Sequence, residues 1–243
     1  MGSIITPRQT EPQSKDTLNK EHIMSIATLI LGESGSGKTT SLRNLDPAHT
    51  LLIQAQSKPL PFKSKEWVKR TKDANGKAIG NIFVSDRADQ ILTVMHRSTF
   101  PVIVLDDFQY VMSNEFMRRS MEKGFDKFTE IGRNAWDILT LAGNLAPETR
   151  VYILSHTQTD DSGRTKIKTI GKMLDEKITL EGMFTTVLRT VCADGSHYFS
   201  TQNNGNDTVK SPMGMFDSQL IDNDLVDVDC AICEFYGLSA VTA

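Results

Sequence analysis

The residues whose types and spacing could do chemistry begin at 32–39, which read Gly-Glu-Ser-Gly-Ser-Gly-Lys-Thr. Gly32, Gly37, Lys38 and Thr39 meet every fixed position of the pattern G-x-x-x-x-G-K-[ST]. Glycines let successive backbone N–H groups turn inward around a phosphate, where a side chain would block the approach. Glu33, Ser34, Gly35, Ser36 and Thr40 complete the set expected to line that turn. Lys38 can bring a flexible point charge to the β- and γ-phosphates, and the Thr39 hydroxyl can ligate Mg²⁺. The pattern implies a nucleoside triphosphate, expected to be ATP, bound with Mg²⁺.

A second group follows about 70 residues later, where Val102-Ile-Val-Leu ends in Asp106-Asp107. In phosphate-loop sites an Asp at the end of a strand beside the first one holds the Mg²⁺ shell. Asp106 is expected in that role, and Asp107 is placed to polarise an attacking water. A third position is Ser155-His156, at the end of the next apolar run. His156 either senses a γ-phosphate or satisfies loop carbonyls.

Two stretches are basic. Residues 58–77 carry Lys58, Lys63, Lys65, Lys69, Arg70, Lys72 and Lys77 against Glu66 and Asp73, a net charge of +5. Phe62 and Trp67 lie among them and could stack on bases. Residues 164–172 add Arg164, Lys166, Lys168 and Lys172 without an acid. Both fit a polyanion such as single-stranded DNA, with salt-sensitive binding. A solvated surface is the bland alternative.

These groups need elements to position them. Residues 26–31 form a short apolar run rich in β-formers and read as a buried parallel strand, and 39–45 as a helix ending before Pro47, its positive end on the phosphates. Further strands are expected at 50–53, 81–85, 101–105, 150–154, 185–191 and 196–201, the last two paired as a hairpin. Asn75-Gly76 marks a smaller hairpin. Helices are expected at 86–97, 113–122, 125–145 and 218–236. Residues 157–172 show no core pattern. Strands alternating with helices predict an α/β fold, a mostly parallel sheet flanked by helices, ending in a β-hairpin and a helix.

Composition sets outer bounds. The 243 residues are 39% hydrophobic and 23% charged, which suits one sizeable α/β domain with appendages. No run of 18 apolar residues or signal-peptide pattern occurs, and three cysteines are too few for a disulfide framework, so a cytoplasmic protein with no membrane span is expected. The net charge of −3 is uneven: 217–243 hold six acids and no Lys or Arg, leaving +3 on the first 216 residues. Cys230-Ala-Ile-Cys233 reads as helix packing rather than zinc. The expected division is a polar arm over 1–22, a core over 23–216 containing the basic insertion 57–80 and a loop 157–177, and an acidic helix over 217–243.

The phosphate loop, Lys58-Pro-Leu-Pro-Phe62, Val-Ile-Val-Leu-Asp-Asp-Phe-Gln-Tyr110, and Thr201-Gln-Asn-Asn-Gly-Asn206 through Lys210-Ser-Pro-Met-Gly214 together resemble the RecA-like recombination ATPases of bacteriophages, of the single-strand-annealing type. The resemblance covers roughly residues 25–216. It implies a RecA-like P-loop NTPase core, an ATPase that forms a homo-oligomer on single-stranded DNA with ATP at the subunit interface, and residence in the infected host cell. It also implies that 157–177 face DNA and that Lys210 reaches a neighbour's γ-phosphate. The region where RecA carries its catalytic Glu reads Ile53-Gln54-Ala55-Gln56 here, and Gln56 can orient water but take no proton. A single-strand-binding protein is an expected accessory partner. No Asn-Lys-x-Asp or Leu-Ser-Gly-Gly-Gln stretch occurs, against a GTPase or a transporter-type ATPase. The alternatives are a nucleotide-gated adaptor such as a helicase loader, and a small-molecule or nucleotide kinase.

Overall fold

The computed structural model describes residues 24–239; the polar arm expected over 1–22 lies outside them. The chain runs β1 (Ile26–Gly32), β2 (Thr50–Gln54), β3 (Thr71–Lys72), β4 (Ala78–Ile79), β5 (Ile82–Val84), α1 (Ala88–His96), β6 (Val102–Asp106), α2 (Gln109–Arg118), α3 (Asp126–Ala142), β7 (Arg150–Thr159), β8 (Thr165–Ile167), β9 (Thr186–Ala193), β10 (Ser196–Ser200), β11 (Leu220–Asp222) and α4 (Leu225–Tyr236). The main sheet is ordered β11-β10-β9-β1-β7-β6-β2-β5, with β8 paired to β7. The pairs from β9 through β1, β7, β6 and β2 to β5 are parallel, and β10 and β11 continue antiparallel.

Parallel central strands are covered on both faces, so their residues are apolar without a break, yet the two-residue period still sorts them. In β1, Leu29 and Leu31 join the core under α1, α2 and α3, whereas Ile30 joins the opposite core with Leu42, Leu225, Val228 and Ile232. Helix α3 supplies Ile131, Ala135, Ile138, Leu139 and Ala142, at the helical spacing visible in the sequence.

Four elements differ from expectation. Helix α2 begins at Gln109, directly after the Asp107 corner, four residues before the expected 113–122. The segment after the phosphate loop is a 3₁₀ turn at Thr39–Asn44 rather than an α-helix; Pro47 and the strand at Thr50 leave it little length. The C-terminal helix starts only at Leu225, capped by the Asp224 side chain accepting from the Val226 N–H at 3.0 Å, and 220–222 instead form edge strand β11. Residues 157–167 are not coreless: β7 runs on to Thr159 and turns back into β8, whose Ile167 is buried.

The acidic tail segment is tied into the same core. Arg150, fully buried, makes two 3.0 Å hydrogen bonds to Asp229 of α4, and Tyr152 donates to the same carboxylate. A buried bidentate pair of this kind fixes where α4 sits on the sheet.

Candidate functional site

The loop between β1 and the 3₁₀ turn has its shape imposed from the β9–β10 side. A Cβ at Gly32 would meet Thr190 Oγ1 at 1.9 Å and Ser36 Oγ at 2.5 Å, so only glycine fits where the loop leaves the strand. The two hydroxyls that crowd it bond to each other at 2.5 Å, stitching the loop to β9. Gly37 has φ +96°, a backbone costly for any side chain, and lies against His197 and Asn223. His197 Nδ1 lies 3.0 Å from the Ser36 carbonyl oxygen, within hydrogen-bonding range. Nothing in the linear sequence connects Thr190, His197 and Asn223 to the loop; β-pairing brings them there.

Lys38 is buried, and its ammonium donates to the carbonyls of Gly32 and Glu33 at 2.8 Å each. Burial pulls its pKa down to about 8, with Asp106 and Asp107 resisting. Thr39 Oγ1 donates to both carboxylate oxygens of Asp106, at 3.0 and 3.2 Å. The expectation that the Asp106 strand lies beside β1 is corrected: β7 intervenes between β1 and β6. The contact still forms because Asp106 is the last residue of β6, at the sheet edge where the loop crosses over. Burial, and then the neighbouring Asp107, push Asp106 up to about 6.

Asp107 adopts φ +60°, left-handed for a non-glycine residue, a strained geometry that concentrates at functional sites. The Phe108 N–H donates to the Leu154 carbonyl at 2.9 Å, locking that corner against β7. Around the Asp107 carboxylate stand Lys58 Nζ at 2.5 Å and His156 Nε2 at 3.5 Å. Burial opposes its charge, but the bonds to His156 and Lys58 outweigh burial and hold it below the usual carboxylate range. His156 is positioned from β7, its backbone N–H bonded to Gln109 Oε1 at 3.3 Å and its ring edge-on to Tyr110.

One cavity of about 260 Å³ is lined by Ser34, Gly35, Gly37, Lys38, Thr39 and Thr40 of the loop together with Lys58, Pro59, Pro61, Asp107 and His156. Lys58, in sequence one charge among seven in a basic stretch, faces Asp107. The available signal was its position just after β2 and before two prolines.

Other expected residues lie elsewhere. Gln56 is exposed and approached by Asn114 Nδ2 at 3.5 Å, outside the cavity lining. Lys210 is partly buried, and its backbone pairs with Val187 on β9. Trp67, expected to offer a stacking face, is 8% exposed and packs edge-on against Phe62 within the core. Lys63, Lys65, Lys69 and Lys72 remain exposed, Lys69 bridging through its backbone to Ile82 of β5, and Arg70 sits over the Phe100 ring. In the second basic stretch, Arg164 and Lys168 are exposed, but Lys166 pairs with Asp175 at 2.8 Å and Lys172 with Glu176 at 3.8 Å. Acids from the next turn fold back onto a stretch that is acid-free in sequence. Cys233 is buried and Cys230 exposed, both free thiols.

A mostly parallel sheet, a glycine loop with buried lysine after its β1 strand, and a hydroxyl–carboxylate contact across to β6 define a phosphate-loop nucleotide-binding architecture. No family model matches the chain, and no curated protein matches it. Among solved structures, the P4 protein from bacteriophage phi6 in complex with ADP is similar at 18% identity and a TM-score of 0.37. That match covers 84% of this chain and 64% of the other, so this chain spans less than two thirds of it. No helix among the described residues is long and apolar enough to cross a membrane.

Proposed function

We propose that the chain is a Mg²⁺-dependent ATPase that binds single-stranded DNA, assembles with copies of itself around the nucleotide, and promotes strand annealing or exchange. The observation that carries the ATPase reading is the Thr39–Asp106 contact at 3.0 Å beside the buried Lys38. Two hard oxygens meet there, and the desolvated Asp106 carboxylate favours a cation. Mg²⁺ is commonly held by one or two protein oxygens plus substrate phosphates, so this pair fits it. Thr39 and Asp106 would hold the ion, which supplies neutralisation of charge on the β- and γ-phosphates. The loop N–H groups and Lys38 bind the phosphate chain, and Asp107 accepts a proton from the attacking water. His156 bonds Asp107 or the γ-phosphate from β7.

The DNA reading is supported by the exposed Arg164 and Lys168 on the β7–β8 hairpin, which leaves the same sheet edge as His156. The test is the ATP turnover rate with and without single-stranded DNA across a salt series. Stimulation that fades as salt rises is expected; a rate indifferent to DNA at every salt removes the DNA part of the proposal. A second reading, a nucleotide-gated adaptor with weak hydrolysis, is favoured by Gln54, Ala55 and Gln56 standing where a catalytic Glu would sit and by the engagement of Asp107 with Lys58. It expects ATP binding with very slow turnover.

A further inference from the structure

We propose that Lys58 is a catalytic cation supplied by the chain to its own active site. It exchanges Asp107 for the γ-phosphate when a triphosphate enters the cavity. The inference rests on the ATPase reading above.

The two partners differ in freedom. The Asp107 side chain is 3% exposed and that of Lys58 41%. Asp107 is held by its left-handed backbone and by the bonds that Phe108 and Tyr110 N–H groups make around it. Lys58 has an anchored backbone, its carbonyl accepting from Gln54 Nε2 at 3.1 Å, followed by Pro59, which fixes φ at the next position. Its stem is free to swing while its root stays at the cavity wall. The carboxylate is therefore the fixed point and the ammonium the moving one.

The charged groups facing this pair are Asp106 from β6, Lys38 from the loop and His156 from β7, with Tyr110 of α2 adjacent. A single carboxylate holds Lys58 now. A triphosphate brings several negative charges within reach of the same ammonium, and even after Mg²⁺ offsets two of them the γ-phosphate competes for it. Phosphoryl-transfer sites commonly place a cation on the γ-phosphate oxygens, often an arginine. Among the described residues no arginine lines this cavity, and Lys58 does.

The exchange does two things. It places an N–H donor on a γ-phosphate oxygen as charge builds there, and it uncovers the Asp107 oxygen that Lys58 had occupied. The water oxygen then bonds to the γ-phosphorus while the bond from that phosphorus to the bridging oxygen breaks. The bridging electron pair leaves with ADP, and the water proton passes to Asp107.

The experiment compares the full chain with Lys58→Ala and Lys58→Arg. It measures kcat and KM for Mg·ATP, equilibrium binding of a fluorescent ATP analogue, thermal unfolding, and the salt slope of single-stranded DNA binding. The expected result for Lys58→Ala is a kcat lowered about 10²-fold or more, in line with loss of one donor to developing charge, with analogue affinity falling far less than kcat and the unfolding temperature lowered because buried Asp107 loses its cation. Lys58→Arg should recover most of the loss. Wild-type kcat in Lys58→Ala overturns the assignment. So does a loss of analogue binding parallel to kcat, or a kcat that Arg fails to rescue. A salt slope reduced by about one with kcat intact assigns Lys58 to DNA instead. Wild-type protein that binds the analogue but never hydrolyses ATP overturns the ATPase reading itself, which Lys58→Ala matching an active wild type would leave standing.

Discussion

Asp106→Asn is expected to stabilise the metal-free protein while removing its response to Mg²⁺. Asp106 is 1% exposed, and burial followed by Asp107 raises its carboxyl from 3.8 to about 6. A folded-state pKa above the unfolded one means that the folded chain keeps a proton between those values that the unfolded chain has shed. The contribution to stability is thus fully present below the unfolded value of 3.8, is lost as pH rises through about 6, and stays lost above it. At about 1.4 kcal/mol per pH unit, holding the carboxylate charged at pH 7.5 costs about 3 kcal/mol. Asparagine avoids that cost but weakens the Thr39 bonds at 3.0 and 3.2 Å, a loss of about 1 kcal/mol. The net gain is about 1–2 kcal/mol at pH 7.5, shrinking by about 1 kcal/mol at pH 5. Urea unfolding of both proteins in EDTA at the two pH values measures this directly. Added Mg²⁺ should then increase the stabilisation that ATP gives the wild type, and leave the smaller ATP effect on the variant unchanged. An Asn variant less stable than wild type at pH 7.5, or a gap that does not narrow toward pH 5, refutes the reasoning.

Three further outcomes follow from the packing. Gly32→Ala should destabilise by about 1–3 kcal/mol, because its Cβ would lie 1.9 Å from Thr190 Oγ1; adding Thr190→Ala should return part of the loss in a denaturant titration. Arg150→Ala leaves Asp229 buried without a counter-charge, still bonded by Tyr152, and should cost about 3–5 kcal/mol by the same assay. Cys233, buried and with its thiol pushed up to about 11 by burial and Asp229, should resist maleimide at pH 7.5 until the chain is unfolded, whereas exposed Cys192 labels in the native state, as read by mass spectrometry.

The core strands are legible because β1, β6 and the first half of β7 carry apolar runs that lead into chemistry: Gly32, Asp106 and, past Leu154, His156. The loop was legible for the same reason, its residues being contiguous. What the sequence concealed is whatever depends on pairing between distant segments. That β7 lies between β1 and β6 is a matter of strand order, which no local pattern encodes. Thr190 and His197 reach the loop only through the β1–β9 and β9–β10 pairings. Lys58 reads as surface charge because it opens a stretch with a net charge of +5, and its partner Asp107 is 49 positions away. Trp67 looked like a stacking platform for the complementary reason: an aromatic in a charged segment is as well explained by a small local core, and the contact with Phe62 decides it. The β7–β8 hairpin escaped notice because only Ile167 anchors it to the core.

The claim on which the site depends is that the glycine loop with Lys38, and Asp106 across from Thr39, grip one triphosphate through Mg²⁺. Calorimetric titration of ATP into wild type and Lys38→Ala, each with Mg²⁺ and with EDTA, tests it most directly. One ATP should bind per chain to the wild type in Mg²⁺, with affinity reduced at least about 100-fold, or about 2.7 kcal/mol, in Lys38→Ala and clearly weakened by EDTA. Equal binding to both proteins, or binding indifferent to Mg²⁺, would contradict it.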